Sequence, residues 1–192
     1  MMAASAWLKR AQAVDEARRK DLDDHELRVR RLLQSMVRLK LCHRSALHWL
    51  GGESTPQGRT HVSFKRGDAK VRGYDALTLN GLQHLRPGAV LSMSFVQDKR
   101  TQLLLGYSIG LRGLSSSTGR SWYARVDLDE EQKGEGPCSH PNLHCHVGND
   151  PDGDDDPKAR VPVPWLAPDE ALVWLLATVD PRFEPQDPAR SA

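Results

Sequence analysis

The stretch GAVLSMSFVQDKRTQLLLGYSIGLR, residues 88–112, contains two runs in which apolar residues alternate with other residues. The apolar positions that share one face are Ala89, Leu91, Met93 and Phe95 in the first run and Leu103, Leu105, Tyr107, Ile109 and Leu111 in the second. Such alternation is typical of a β-strand with one buried face. Because only the short polar segment DKR separates the runs, the stretch predicts an antiparallel hairpin.

The same alternation continues after the hairpin, in SWYARVDLD (121–129) and LHCHV (143–147). The positions predicted to face inward are Trp122, Ala124, Val126, Leu128, Leu143, Cys145 and Val147. Weaker strand patterns occur near residues 60–65 and 69–79. Strands that follow one another with one apolar face predict an antiparallel meander, here over residues 59–148, that needs a covering layer.

Helical patterns flank the predicted sheet. Residues 1–52 are predicted to be helical, with a first helix from Ala3 to Lys20 and a longer second helix that ends at Gly51 and Gly52. Residues 165–180 predict a C-terminal helix, and residues 149–160 predict an acidic loop. The expected fold class is α+β, a single domain over residues 1–192. In it, an antiparallel β-meander packs against a long N-terminal helix and a C-terminal helix.

Charge is distributed unevenly: residues 1–120 carry 21 Lys and Arg against 10 Asp and Glu, whereas residues 121–192 carry 6 against 15. A basic half often binds nucleic acid or an acidic partner. The predicted nucleic-acid-binding residues lie on the second helix and are Arg28, Arg30, Arg31, Arg38 and Lys40. The alternative is a solvated helix face in a chain whose two halves fold against each other and offset their charges.

The first twenty residues include charged side chains and no signal-peptide-like apolar region, and the chain lacks a long apolar run and has three widely spaced cysteines. A signal peptide or a membrane span needs a continuous apolar segment, and an odd number of cysteines does not indicate a disulfide framework. The expectation is a cytoplasmic protein with reduced thiols and no membrane partner.

Residues 138–157, CSHPNLHCHVGNDPDGDDDP, combine two cysteines, three histidines and five aspartates. On a strand, His144 and His146 share one face while Cys145 lies on the other. Two imidazoles with one more nitrogen, sulfur or oxygen donor suit zinc or another divalent metal. The predicted metal ligands are His140, His144, His146 and Cys138. The alternative is a polar strand surface without an ion.

The histidine face also supports a hypothesis of acid–base chemistry. If the 121–128 strand is the neighbour of the histidine strand, its outward side chains lie within reach of both histidines. The predicted catalytic residues are His144, His146, Arg125, Asp127 and Tyr123. One histidine would take a proton from a phosphodiester substrate, the other would give one, and Arg125 would stabilise phosphate charge. The alternative is a solvent-facing ladder with an Arg/Asp pair.

The order WYARVDLD, HPNLHCHVG and a Pro-led, Leu-rich helix resembles the C-terminal half of the TumE-like bacterial toxin family and of related domains of unknown function. The resemblance covers residues 121–180 and implies a role in toxin–antitoxin or defence loci. It carries over five positions, Arg125, Asp127, His140, His144 and His146. The long basic N-terminal segment and the Asp-rich insertion depart from the family pattern, and the resemblance implies no particular enzymatic activity.

These observations lead to one main functional hypothesis and two alternatives. The main hypothesis is a bacterial toxin or defence protein that binds or cleaves RNA or DNA at the His-x-His strand. The alternatives are a non-catalytic subunit that docks on a protein partner, such as an antitoxin, and a domain with a structural metal site. Glycine-rich phosphate loops, the G-x-S-x-G elbow, the H-E-x-x-H helix and the EF-hand spacing are absent from the sequence, which disfavours those classes.

Overall fold

A computed structural model describes residues 25–128, 143–149, 160–163 and 165–184. Over these residues the fold combines a large antiparallel sheet with two α-helices. The α-helices are α1 (His25–Arg38) and α2 (Pro168–Ala177). The strands are β1 (Leu50–Ser54), β2 (Arg59–Phe64), β3 (Ala69–Val71), β4 (Tyr74–Leu79), β5 (Ala89–Asp98), β6 (Leu104–Leu114), β7 (Ser121–Leu128), β8 (Leu143–Gly148) and β9 (Arg160–Pro162). Two short 3-10 helices span Arg44–His48 and Pro181–Phe183.

The strands follow the path β1-β2-β5-β6-β7-β8-β9, and every pairing is antiparallel. The consecutive order from β5 to β8 confirms the predicted meander. Strand β5 also pairs with β4, which in turn pairs with β3. The single strand predicted near residues 69–79 is therefore a hairpin, because Arg72 and Gly73 both adopt positive φ and reverse the chain.

The alternation of inward-facing and outward-facing residues is interrupted once within the predicted hairpin. The β5–β6 ladder shifts register, so that Val96 lies opposite Gly106 and Gln97 opposite Leu104. Leu105 is the extra residue of this bulge, and a bulge reverses which residues face inward. The prediction that Leu103 and Leu105 face the core is thus wrong: both are half-buried, whereas Leu104 is fully buried.

The predicted long N-terminal helix is not confirmed. Residues 1–24, with the first predicted helix, lie outside the described residues, and α1 ends at Arg38. Lys40 has a φ of 59°, the left-handed conformation that commonly terminates helices, and the amide of Leu41 donates to the carbonyl oxygen of Met36. Gly51 and Gly52, predicted to end the helix, lie in β1.

Both helices pack on the apolar face of the sheet. Val29, Leu33 and Met36 of α1 are buried in one core with the inward residues of β5, β6 and β7. The hydroxyl of Tyr107 donates to the carbonyl oxygen of Leu166 at 2.9 Å, which ties β6 to the start of α2. The predicted C-terminal helix is confirmed, and its apolar stripe is buried. Among the described residues, no helix has the length and apolar character required to span a membrane.

Gly67 marks a close approach between the connection after β2 and strand β4. A Cβ atom at this position would lie 2.0 Å from the carbonyl oxygen and 2.7 Å from the amide nitrogen of Ala76. Because both obstacles are backbone atoms, we expect Gly67→Ala to lower the free energy of unfolding by about 1–3 kcal/mol. Urea unfolding measures this loss. Gly51→Ala is the matched control, since its nearest neighbour is the movable side chain of Lys65, and an equal loss there would contradict the explanation.

Candidate metal centre

Strand pairing brings the outward side chains of β7 and β8 together. In the ladder, Asp127 lies opposite His144, Arg125 opposite His146, and Tyr123 opposite Gly148. Alternation along each strand then places the five candidate catalytic side chains on one face. Cys145 lies opposite Val126, and both are buried in the core on the other face.

Three of these side chains form a compact cluster around one carboxylate oxygen, Asp127 Oδ2. The Nε2 atom of His146 lies 3.1 Å from it and the Nε2 atom of His144 lies 3.9 Å from it. The two imidazole rings meet edge to face, with centroids 4.8 Å apart. Arg125 Nε donates to the same oxygen at 2.7 Å, so the guanidinium holds the carboxylate in place.

The cluster is buried, contrary to the expectation of a solvent-facing ladder. His144 and His146 are each 2% exposed, and Asp127 is 8% exposed. Burial alone raises the pKa of Asp127, but a hydrogen bond from His146, the charge of Arg125 and a hydrogen bond from Ser108 together hold it below its ordinary value. The carboxylate is therefore negatively charged at neutral pH.

The donor set fits a divalent transition-metal ion. Zinc binds imidazole nitrogen and carboxylate oxygen at about 2.0–2.2 Å, which separates two ligand atoms of a tetrahedral site by about 3.4 Å. Ligand atoms of Asp127, His144 and His146 all lie within 4.8 Å of one another. The 3.1 Å and 3.9 Å separations from Asp127 Oδ2 lie on either side of the tetrahedral value. Small side-chain movements suffice to close the three groups around one ion.

The structure adds one residue to the candidate metal ligands. His144 and His146 lie in the cluster, whereas His140 and Cys138 lie outside the described residues. Asp127, which the sequence suggested for acid–base chemistry, offers a third donor atom beside the two histidines. The sequence did not identify Asp127 as a candidate metal ligand, because the register of its strand against the histidine strand could not be determined from the sequence.

The free thiol of Cys145 is not suited to bind an ion here. It is buried on the opposite face, and burial raises its pKa to about 11. A thiol must lose its proton to become a good metal ligand. Cys42 is also a free thiol, and burial, with the charge of Asp68, raises its pKa to about 11.

Two of the predicted nucleic-acid-binding residues, Arg28 and Arg30, form ion pairs within the fold. Arg28 forms an ion pair with Asp169 at 2.7 Å, which joins α1 to α2. Arg30 pairs with Glu26 and also donates to the carbonyl oxygens of Leu47 and Leu50. The remaining three, Arg31, Arg38 and Lys40, are exposed on or just beyond α1.

Sequence reasoning missed a cavity that adjoins the cluster. Arg125 and Tyr123 line it together with residues of β2, β5 and β6. The sequence carried a signal for it, since the outward positions of the central strands hold small residues, Ser92 and Ser94 on β5 and Ser108 and Gly110 on β6. Small side chains in a row leave space above a sheet.

No protein-family model, curated protein or solved structure matches this chain.

Proposed function

We propose that this protein binds one divalent metal ion, preferably zinc, through Asp127, His144 and His146. The observation that carries the proposal is the buried carboxylate with two histidine Nε2 atoms within 3.9 Å of one of its oxygens. Two histidines and one carboxylate are a recurrent ligand set of zinc and non-haem iron proteins.

The surroundings of the cluster support a metal site. Arg125 and Ser108 both donate to Asp127, and hydrogen bonds of this kind fix the orientation of a ligand before the ion arrives. A negatively charged carboxylate in a buried site also offsets part of the charge of an entering cation. Three protein ligands leave a position for water, which is the arrangement of catalytic zinc sites and favours hydrolytic chemistry.

Chelator-treated protein is expected to bind zinc with a stoichiometry of one, and His144→Ala or His146→Ala should weaken that affinity by about 100-fold or more. Loss of a residue that only supports a ligand already reduces affinity by about 10–100-fold, so loss of a ligand should have at least the larger effect. Isothermal titration calorimetry with Zn²⁺ measures the affinity, and elemental analysis of the purified protein measures the metal content.

His48→Ala is the matched control, because His48 is an exposed histidine outside the cluster. The zinc affinity of the His48→Ala variant should equal that of the wild-type protein. Wild-type protein that is folded and binds no zinc, iron or manganese would overturn the proposal. The cluster would then be a hydrogen-bonded network in which Asp127 orients His146.

Nucleic-acid binding stays a prediction, as do the toxin or defence role and a protein partner. The burial of His144 and His146 places both rings out of direct contact with a polymer, so a nucleic-acid substrate would have to be reached through the cavity that Arg125 lines. Of the predicted contact residues, Arg31, Arg38 and Lys40 are exposed to meet phosphate groups.

A further inference from the structure

A cavity of about 380 Å³ opens where the sheet divides at β5. One edge of β5 is shared by two strands: β2 pairs with it from Ser94 to Asp98, and β4 pairs with it from Ala89 to Leu91. Ser92 and Met93 lie between these two ladders and line the cavity. We call this space the fork cavity, because the divergence of β2 and β4 creates it.

Small residues form the floor of the fork cavity. Ser63, Ser94 and Ser108 are consecutive neighbours across β2, β5 and β6, and the row continues to Asp127 on β7. Gly110 lies opposite Ser92, and a Cβ atom added to it would lie 3.0 Å from the Ser92 hydroxyl oxygen. Larger side chains at these positions would fill the space, so the sequence keeps the cavity open and lines its floor with hydroxyl groups.

The β3–β4 hairpin contributes one wall of the fork cavity. Arg112 of β6 donates to the carbonyl oxygen of Lys70 at 3.1 Å and thereby connects the hairpin to the sheet. Tyr74 lines the cavity and is 77% exposed, which is unusual for a large aromatic side chain. An exposed ring at a cavity mouth is a surface on which a flat aromatic group can stack.

The charged residues of the lining favour an anion. The lining contains three arginines, Arg72, Arg112 and Arg125, and one carboxylate, Asp75, which is paired with Lys70 at 3.2 Å. Arg125 is paired through Nε with Asp127, which lies beyond the lining. Arginine is the side chain best suited to bind phosphate, because its planar guanidinium donates two parallel hydrogen bonds.

Arg72 occupies its position at the expense of a strained backbone. It is the first residue of the two-residue turn between β3 and β4 and has a φ of 49°, a conformation in which asparagine or glycine is favoured. Residues held in such conformations are often found at functional sites. A role for the charged side chain in the cavity explains why arginine occupies this position instead of asparagine or glycine.

We propose that the fork cavity binds a small phosphate-bearing ligand with a flat ring, of the class of a nucleoside monophosphate. The arginines take the phosphate, the serine hydroxyls take polar groups and Tyr74 stacks on the base. A volume of about 380 Å³ lies within the range of about 300–1,000 Å³ for small-molecule pockets. This proposal goes beyond metal binding and does not require an ion in the cluster.

The test is calorimetry on chelator-treated protein with AMP, GMP, CMP and UMP, alongside adenosine and inorganic phosphate. At least one nucleoside monophosphate should bind more tightly than both partial ligands. Arg72→Asn should weaken its binding by about tenfold or more, since a hydrogen bond to a charged group is lost. The same change should raise the melting temperature, because asparagine suits the turn, so that weaker binding cannot be ascribed to misfolding.

Two further variants complete the design. Ser94→Leu places a large side chain on the cavity floor and should abolish binding, whereas Arg44→Gln, which removes an exposed arginine outside the cavity, should leave it unchanged. Folded wild-type protein that binds no nucleoside monophosphate would overturn the proposal. Equal affinity for inorganic phosphate, or unchanged affinity in both Arg72→Asn and Ser94→Leu, would also overturn it. Zinc titration of each variant shows separately whether the metal proposal holds.

Discussion

Phe95→Ala is expected to lower the free energy of unfolding by about 3–5 kcal/mol. Phe95 is fully buried in β5, the strand that pairs with β2, β4 and β6, and it lies opposite Val62 on one side and Tyr107 on the other. Truncation removes most of a large apolar side chain and leaves a cavity at the centre of the core. The surrounding strands are held by their ladders and cannot collapse into the space.

Urea unfolding monitored by circular dichroism measures the loss. Val90→Ala is the matched control, because Val90 lies on the same strand but its half-buried side chain faces away from the core. Its effect should be much smaller, since less apolar area is returned to water. Similar losses for both variants would show that Phe95 is not at the centre of the core.

Asp127→Ala is expected to lower the free energy of unfolding by about 3 kcal/mol in metal-free protein at neutral pH. The change leaves the buried His146 and the largely buried Arg125 without the carboxylate that they share. A positive charge that loses its buried counter-ion destabilises the folded state more than the pair stabilised it. Urea unfolding in the presence of a chelator separates this effect from the loss of a metal ligand.

The effect of Asp127→Ala should depend on pH in a defined direction. The pKa of Asp127 lies below its ordinary value of 3.8 in the folded protein. A group whose pKa is lowered by folding stabilises the fold fully above the unfolded pKa and loses this contribution as the pH falls through the folded pKa. The gap between the two proteins should therefore shrink as the pH falls below 3.8. A gap that persists at the lowest pH at which both proteins fold would refute the explanation.

The parts of the fold that the sequence predicted are those in which local pattern and burial agree. Residues 89–95 alternate because one face of β5 meets the core, and Leu172, Leu175 and Leu176 recur at helical spacing because one side of α2 does. In both elements the spacing of the apolar residues was compatible with only one type of secondary structure. The consecutive order of β5 to β8 was predicted because these strands follow one another in the chain and each has one apolar face.

The features that the sequence did not predict depend on contacts between distant residues. The bulge that turns Leu105 away from the core arises from the pairing of two strands, and no single strand carries a signal for it. The burial of His144 and His146 was likewise not predicted, because polar residues on the outward face of a strand are usually exposed to solvent. Alternation placed both histidines on one face and predicted that Asp127 would share it, but the pairing of Asp127 with His144 became evident only from the register of β7 and β8.

The strands at the two ends of the sheet path are short, β1 with five residues and β9 with three. β1 contains Gly51, Gly52 and a glutamate, and β9 ends at Pro162, which has no amide hydrogen to donate. Short, glycine-rich, charged or proline-containing edges are poor templates for a strand from a second molecule. Among the described residues, the sheet path therefore ends at strands that resist intermolecular strand addition, which disfavours aggregation at high concentration.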